Sequence, residues 1–342
     1  MYTIAQDSLR TLLDRLSRDY LLIAPVEEDG VTRLKPAKSG AEVSLDYGNT
    51  ATSLKDFLFP QSEDLLRFVT DGTLTIEEIQ PDRKQVAFGI RPCDLASVAL
   101  MDKVLTTGEF SDAHYQARRD NTVLVGLGCE SPADTCFCTS YGYNPGYSGG
   151  ADLMLYKDGD NYLAEALTEK GRTLVGGPGE GLFKPADEAS GEAVKKSYVE
   201  KEVPFGSEVK VEGIDKLLDN FFNDQYWDDV SRRCLNCGTC TYVCPTCHCF
   251  LLTDEARGGQ GLRFRCWDSC MFANYTKMAG GHNPRPSKKE RVRQRFMHKL
   301  NYYSHRYGSY LCTGCGRCVA KCPVGLHIAG VINDVKGVKA HA

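Results

Sequence analysis

Apolar residues recur every three or four positions near the start of the chain, which is the spacing of one helical face. In LRTLLDRLSRDY (9–20) this face carries Leu9, Leu12, Leu13 and Leu16, and the apolar run LLIAPV (21–26) follows it directly. We interpret the leucines as core residues and the run as a buried strand. The pattern predicts a helix followed by a strand in an α/β domain.

A second set of segments alternates between strand-like and helical patterns. QVAFGI (85–90) and NTVLVGLG (121–128) are typical of buried strands, and LASVALMDKVL (95–105) between them is typical of a helix. A right-handed crossover through that helix makes the two strands parallel neighbours. Cys93 and Cys129 then follow the carboxyl ends of these strands, where open α/β sheets bind ligands.

Two further cysteines follow within the next loop, in DTCFCTS. Loops beside glycine and proline can bend around a cofactor, whereas thiols that only pack are expected on strand or helix faces. We therefore predict an additional [4Fe-4S] site held by Cys93, Cys129, Cys136 and Cys138. A zinc site and inert thiols are the alternatives.

The feature of the composition that adds most to this picture is the large number of cysteines. The 342 residues are 42% hydrophobic, which suits two domains, and the net charge of -4 argues against a nucleic-acid binder. The sequence has no apolar run near the roughly 18 residues of a membrane span and no secretory leader, so we expect a cytoplasmic protein. In that reducing compartment, 16 cysteines indicate metal or redox chemistry instead of disulfides.

Two segments share the pattern CxxCxxCxxxCP. They are CLNCGTCTYVCP (234–245) and CTGCGRCVAKCP (312–323). In ferredoxins with two clusters, the fourth cysteine of each such run ligates the other cluster. Zinc also binds CxxC pairs, but two complete copies favour [4Fe-4S] clusters. We assign two ligand sets: Cys234, Cys237, Cys240 and Cys322 for the first cluster, and Cys312, Cys315, Cys318 and Cys244 for the second.

The residues between the two motifs indicate a helical domain larger than a small ferredoxin. SKKERVRQRFMHKLNYYSHRYG (287–308) has helical spacing and a serine that can cap its start. The stretch is basic, and cations near an anionic cluster raise its potential and offset its burial cost. A solvated helix face or contact with an acidic partner subunit are the alternatives. The cations are Arg285, Lys288, Lys289, Arg291, Arg293, Arg295 and Lys299.

Four more cysteines lie between the motifs, in PTCHCF (245–250) and RFRCWDSCMF (263–272). They are candidates for a further metal centre, with His248 as a substitute ligand or a hydrogen-bond donor to a cluster. The alternative is that they are buried thiols packed around the two clusters. The four are Cys247, Cys249, Cys266 and Cys270.

Two glycine-rich segments fail as nucleotide motifs. GLGCES (126–131) lacks the third glycine of a dinucleotide fingerprint, and GGPGEG (176–181) lacks the lysine and hydroxyl residue of a P-loop. The Gly-, Glu- and Lys-rich residues 176–212 are interpreted as a linker or an irregular exposed connection between the domains. The predicted fold class is α+β: an α/β domain with a mixed or parallel sheet over 1–212, and an α-helical dicluster ferredoxin domain over 213–342.

With these motifs the chain resembles the iron-sulfur β subunits of cytoplasmic sulfhydrogenases, the A subunit of anaerobic sulfite reductase, and related subunits of flavin oxidoreductase and heterodisulfide reductase assemblies. The resemblance implies an electron-transfer subunit, not the catalytic chain, working between a flavin subunit that handles NAD(P)H and a catalytic or further redox subunit. It rests on SLKDFLFPQSEDLL (53–66), IRPCDLASV, GCESPADTCFC, CPTCHCF, WDSCMF, GGHNPRP and both cysteine runs.

A self-contained iron-sulfur reductase is the alternative function. Such a protein would bind its own substrate or flavin in the N-terminal domain. The sequence has no recognisable flavin, nicotinamide or haem motif, and we assign no catalytic residue. The electron-transfer subunit is therefore the favoured prediction.

Overall fold

The chain folds into two units, each built around its own β-sheet. The computed structural model describes residues 1–205 and 209–337. Unit 1 comprises Met1–Leu54, Asp82–Gly206 and Thr313–Cys315, and unit 2 comprises Lys55–Pro81, Ser207–Cys312 and Gly316–Ala342. The segment Lys55–Pro81 thus belongs to unit 2, although the domain prediction placed it in the first domain.

The described residues form strands and helices throughout both units. The strands are β1 (Tyr2–Ala5), β2 (Leu21–Glu28), β3 (Val31–Pro36), β4 (Ser62–Asp71), β5 (Thr73–Glu78), β6 (Gln85–Ile90), β7 (Thr122–Leu127), β8 (Leu153–Asp158), β9 (Asn161–Ala166), β10 (Lys184–Pro185), β11 (Phe250–Arg257) and β12 (Gln260–Trp267). The α-helices are α1 (Gln6–Asp19), α2 (Lys55–Leu58), α3 (Pro92–Leu105), α4 (Ala113–Asp120), α5 (Glu169–Gly176), α6 (Glu188–Val199), α7 (Ile214–Asp219), α8 (Tyr226–Arg232), α9 (Thr239–Tyr242), α10 (Lys288–Met297), α11 (Tyr303–Tyr307), α12 (Arg317–Lys321) and α13 (Ile328–Gly337). None of the helices in these ranges is long and apolar enough to cross a membrane.

Unit 1 contains an eight-stranded mixed sheet in the order β10-β1-β9-β8-β7-β6-β2-β3. The four central strands β2, β6, β7 and β8 are parallel, and the outer pairings are antiparallel. All six residues of β6 are buried, as expected for a parallel strand covered on both faces. The predicted α+β fold class is confirmed. The sheet, which was predicted to be mixed or parallel, is mixed.

The predicted helices and strands of unit 1 are present. The leucine face of α1 is buried, and β2 follows it as predicted. The strands β6 and β7 are parallel neighbours joined through α3, which confirms the βαβ prediction. The helix α3 begins at Pro92, three residues earlier than predicted, because proline at the first helical position needs no N–H partner.

The prediction of a linker over 176–212 is wrong for the residues of α6. The Asp187 side chain caps this helix by accepting a hydrogen bond from the N–H of Ser190 at 2.8 Å. Near its end, Tyr198 is buried against Tyr156, with ring centroids 5.4 Å apart. A capped start and an aromatic anchor give a polar segment enough support to fold. Residues 206–208 of the predicted linker lie outside the described residues.

Unit 2 contains a four-stranded antiparallel sheet in the order β11-β12-β4-β5, which the prediction of a helical domain did not include. The hairpin β11–β12 turns at Gly258 and Gly259, which have φ values of 56° and 77°. Two consecutive positive φ values suit a two-residue hairpin turn. These strands are largely exposed, so they lack the apolar run by which a buried strand is recognised.

The helical prediction for 287–308 is confirmed. Ser287 and Glu290 form a reciprocal capping box at the start of α10, and Gly308, with φ of 68°, ends α11. Between α10 and α11 the helix widens into a π-helical turn at His298–Tyr302. Such turns occur often at functional sites.

The unit 2 sheet offers a stability prediction from two ion pairs. Glu63 and Arg265 pair with Oε2–Nη2 at 2.5 Å and side chains 1% and 4% exposed. Removing one partner of a buried pair costs about 3–5 kcal/mol, so Glu63→Gln should lower the free energy of unfolding by that amount. Urea unfolding of anaerobically purified protein measures it.

The control is the pair of Asp254 and Arg263 in the same sheet. Its Nε–Oδ1 distance is 2.7 Å, but its side chains are 44% and 49% exposed. Asp254→Asn should therefore cost under about 1 kcal/mol. Equal losses in the two variants would contradict the assignment of Glu63 and Arg265 as a structural pair.

Candidate metal centres

One cavity in unit 2 has four cysteine thiols in its wall. Three belong to the first motif and the fourth to the second: Cys234, Cys237, Cys240 and Cys322. The cavity and its solvent-open mouth together contain about 440 Å³ of space not filled by protein atoms. Four thiols around one space are the donor set of a [4Fe-4S] cluster. The structure thus brings together the residues of the first predicted ligand set.

Backbone amides of unit 2 point at these sulfurs. The N–H of Asn236 donates to Cys234 Sγ at 3.3 Å, and the N–H of Leu326 donates to Cys322 Sγ at 3.2 Å. Hydrogen bonds from the Thr239 hydroxyl and N–H lower the pKa of Cys237. Gly238 has φ of 75°, and a Cβ there would lie 2.7 Å from the Phe272 ring. Burial raises the pKa of Cys234 and Cys240, so the hydrogen bonds favour the thiolate only at Cys237, and the loop requires glycine at position 238.

A buried cation completes the wall of this cavity. Arg295 is 3% exposed, and its Nε has no hydrogen-bond partner. Burial opposes its charge, but the thiolates of Cys240 and Cys318 still raise the pKa of Arg295. A buried guanidinium is costly unless hydrogen-bond acceptors or an anion compensate its charge, and the unpartnered Nε of Arg295 leaves room for an anion to do so. Because four thiolates make a [4Fe-4S] cluster net anionic, the residues of this cavity fit such a cluster.

The second predicted ligand set is divided between the two units. Cys244, Cys312 and Cys318 belong to unit 2, and Cys315 belongs to unit 1. Cys244 is buried, and its Sγ accepts a hydrogen bond from Lys299 Nζ at 3.2 Å. A hydrogen bond from Cys247 and then the charge of Lys299 hold the pKa of Cys244 well below its usual range, although burial opposes this. Cys244 therefore favours the thiolate form, which is the form that ligates metals.

A second thiol-lined cavity lies in unit 1. Its wall contains the four predicted cysteines and a fifth from the second motif: Cys93, Cys129, Cys136, Cys138 and Cys315. It encloses about 360 Å³ of free space. The first two follow the ends of β6 and β7, as the βαβ prediction required, and the first turn of α3 contains Cys93. The N-terminus of this helix adds positive potential near the cavity.

Arg91 places a buried cation in the wall of this cavity as well. It is 4% exposed, its guanidinium lies 3.8 Å from the centroid of the Tyr47 ring, and its Nε donates to Gly48 O at 3.0 Å. Burial raises the pKa of Cys129, and the charge of Arg91 partly opposes that rise. The donor set resembles that of the unit 2 cavity and fits the same kind of cluster, but Arg91, unlike Arg295, also donates hydrogen bonds to the carbonyls of Tyr47, Leu127 and Gly128.

Sequence reasoning missed the position of Cys315. Its side chain packs with Cys93 and Cys138, and its carbonyl accepts a hydrogen bond from Asn49 Nδ2 at 2.8 Å. The preceding residue, Gly314, has φ of 63°, and a Cβ there would lie 2.4 Å from Phe137 O. The first motif has Asn236, also with positive φ, at the equivalent position. Glycine in the second motif is therefore the sequence signal of this close approach.

Three of the four cysteines between the motifs form hydrogen bonds with other cysteines, and the fourth lies on a strand. Cys247 hydrogen-bonds Cys244, Cys249 hydrogen-bonds Cys270, and Cys266 lies on β12 opposite Leu251. Burial lowers the pKa of His248 to about 4, so the ring is neutral. Across 1–205 and 209–337, no three His, Cys, Asp or Glu side chains converge to hold a single metal ion. The contacts favour the alternative that these thiols pack around cluster ligands.

Comparison with known proteins identifies the class of iron-sulfur protein to which this chain belongs. Residues 233–326 match the family model for a 4Fe-4S dicluster domain, which supports two [4Fe-4S] clusters in this iron-sulfur protein. Over 324 residues, 94% of each chain, the sequence is 32% identical to sulfhydrogenase 2 subunit beta of Pyrococcus furiosus. The chain belongs to the sulfhydrogenase beta-subunit family, which confirms the resemblance. No solved structure matches.

The crossed ligand sets can be tested by spectroscopy of serine variants. If Cys322 ligates the cluster in the unit 2 cavity, Cys322→Ser should alter the same electron paramagnetic resonance (EPR) signal as Cys234→Ser. Cys318→Ser is the matched control and should alter the other signal. Agreement of Cys322→Ser with Cys318→Ser would show that each motif ligates its own cluster.

Proposed function

We propose that this chain is an electron-transfer subunit of a cytoplasmic oxidoreductase complex. It passes electrons between a flavin subunit that oxidises NAD(P)H and a catalytic or further redox subunit, of the hydrogenase, sulfite or sulfur reductase, or heterodisulfide reductase type. The observation that carries this proposal is the unit 2 cavity, where four thiols face a buried arginine within a dicluster domain. The relative in Pyrococcus furiosus is itself named as a subunit of a sulfhydrogenase.

In this proposal the side chains of the chain hold clusters and control their charge. Bound [4Fe-4S] clusters supply one-electron transfer. Cys234, Cys237, Cys240 and Cys322 ligate one cluster, and Cys312, Cys315, Cys318 and Cys244 ligate the other. Apolar residues of the first cavity, including Met271, Val292 and Phe296, form part of its wall, whereas Cys237 is exposed. Both the apolar wall and the exposure of a ligand affect the potential of a cluster.

We further propose a third [4Fe-4S] cluster in unit 1, ligated by Cys93, Cys129, Cys136 and Cys138. The support is the repetition of one arrangement in two places: thiols around a cavity, with a buried arginine in the wall. Cys315 is a fifth thiol at the unit 1 cavity, and we assign it to the dicluster set. The contacts of Cys247, Cys249 and Cys270 do not form such a cavity, and we assign these thiols to packing.

The third cluster predicts a defined loss of iron. In the full chain, purified anaerobically, Cys138→Ala should lower the iron content by about four atoms per chain, because a four-iron cluster loses a ligand. The control is Cys266→Ala, on β12 in unit 2, which should leave the iron content unchanged. If Cys138→Ala keeps all the iron of the unaltered protein, the third cluster is excluded.

The electron-transfer role predicts that the isolated chain does not react with pyridine nucleotides. Clusters accept single electrons and no hydride, so a flavin must divide the two electrons of NAD(P)H. The visible absorption of the isolated, cluster-loaded chain should be bleached by dithionite but not by NADH or NADPH. Addition of the flavin subunit should allow NAD(P)H to bleach it. Direct bleaching of the flavin-free chain would support the self-contained reductase instead.

A further inference from the structure

Three cations of unit 2 are buried in one row along a helix. Arg291 and Arg295 lie on α10, and Lys299 lies on the π-helical turn that follows it. The four-residue spacing places successive members of this row on one helical face. Their exposed fractions are 7%, 3% and 3%. Arginine and lysine are rarely buried to this extent unless an anion accompanies them.

Protein groups near the row provide few negative charges. Arg291 Nη1 donates to the carbonyl of Pro286 at 2.9 Å, and Lys299 Nζ donates to Thr246 Oγ1 at 3.0 Å and Leu311 O at 3.1 Å. The guanidinium of Arg295 lies 4.6 Å from the centroid of the Phe296 ring. In the described part of the chain, none of the three pairs with an Asp or Glu side chain.

The sulfur atoms are the anionic partners that remain. Lys299 Nζ lies 3.2 Å from Cys244 Sγ, and Arg295 lines the cavity of Cys234, Cys237, Cys240 and Cys322. With its amide oxygen turned toward the guanidinium, Asn236 of the first motif accepts a hydrogen bond from Arg291 Nη2 at 2.7 Å. The row therefore has a cation at each of the two predicted dicluster ligand sets: Lys299 at Cys244 of the second set, and Arg295 in the wall of the first, from where its charge also reaches Cys318 of the second.

We infer that Arg295 and Lys299 raise the reduction potentials of the two dicluster centres, each acting mainly on one of them. Arg295 acts on the cluster of the unit 2 cavity, and Lys299 acts on the cluster that Cys244 ligates. Each reduction adds one electron, and thus one negative charge, to a site that already has excess negative charge. A buried cation stabilises the reduced form more than the oxidised form, and this raises the potential. The inference rests on the ligand sets of the proposed function.

The test is a redox titration of the full, cluster-loaded chain with dithionite as the electron donor and EPR as the readout. Lys299→Met should make reduction of one cluster at least tenfold less favourable, which is about 59 mV for a one-electron couple. The affected signal should be the one altered in Cys244→Ser. Arg295→Met should shift most the signal that is altered in Cys234→Ser, by a comparable factor, and Lys299→Arg should stay close to the unaltered protein.

The matched control is Arg306→Met, which removes an exposed cation from α11. It should leave both potentials unchanged, because solvent screens an exposed charge. Unchanged potentials in Lys299→Met and Arg295→Met, with full iron and sulfide content, would overturn the inference. A protein without two four-iron signals before any substitution would instead refute the proposed function.

A second variant covers the case in which Lys299→Met does not load iron. Lys299→Gln keeps a hydrogen-bond donor near Cys244 but removes the charge. A loaded Lys299→Gln protein with a lowered potential supports the inference, and one with an unaltered potential contradicts it. If neither neutral variant loads, loading of Lys299→Arg shows that the positive charge is required. If Lys299→Arg also fails to load iron, the shape of the Lys299 side chain is required and not its charge, and the inference is overturned.

Discussion

A positive charge buried in a protein must be compensated by nearby negative charge or hydrogen-bond acceptors, and this constraint links the main features of the structure. Arg295 and Lys299 in unit 2, and Arg91 in unit 1, are each almost fully buried beside cysteine sulfurs. An isolated buried cation costs several kcal/mol even after relaxation. Thiolates, and the anionic clusters that they hold, offset this cost. Cations and clusters in this protein therefore depend on each other.

Backbone N–H groups also stabilise negative charge on the cysteine sulfurs. The thiols lie in loops where helices begin, where strands end or where a glycine has positive φ, and amide N–H groups there can point at sulfur. In unit 1 the parallel strands β6 and β7 end side by side, so Cys93 and Cys129 approach one cavity from neighbouring strands. In unit 2 a long helix, widened at His298–Tyr302, presents cations to the sulfurs. Folding and cluster binding are thus expected to be coupled.

Much of this arrangement could be predicted from sequence because its signals are local. The spacing of the cysteine motifs, the leucine face of α1, the βαβ pattern and the serine at the start of α10 each depend on a few neighbouring residues. The pairing of β4 with β12 depends on residues far apart in the sequence, for example Glu63 and Arg265, which are 202 positions apart. Exposed strands lack a strong hydrophobic pattern, so the hairpin had only its Gly258–Gly259 turn as a sequence signal, and the membership of Lys55–Pro81 in unit 2 could not be predicted.

The position of Cys315 shows a different limit. Its motif predicts a dicluster ligand, and nothing in the spacing indicates that it also lines the unit 1 cavity with Cys93 and Cys138. Only the close approach of Phe137 O to Gly314 explains why the second motif has glycine there. The buried position of Lys299 was equally hidden, because a basic helix is usually a solvated one. Burial depends on the tertiary fold, which the charge pattern alone does not contain.

The most direct test of this account is the iron and acid-labile sulfide content of the chain after anaerobic purification. Two [4Fe-4S] clusters, on which the interpretation of the buried charges rests, require at least about eight irons and eight sulfides per chain. The account predicts a brown protein with those contents. A folded, colourless protein with stoichiometric zinc and no acid-labile sulfide, even after anaerobic reconstitution, would contradict it.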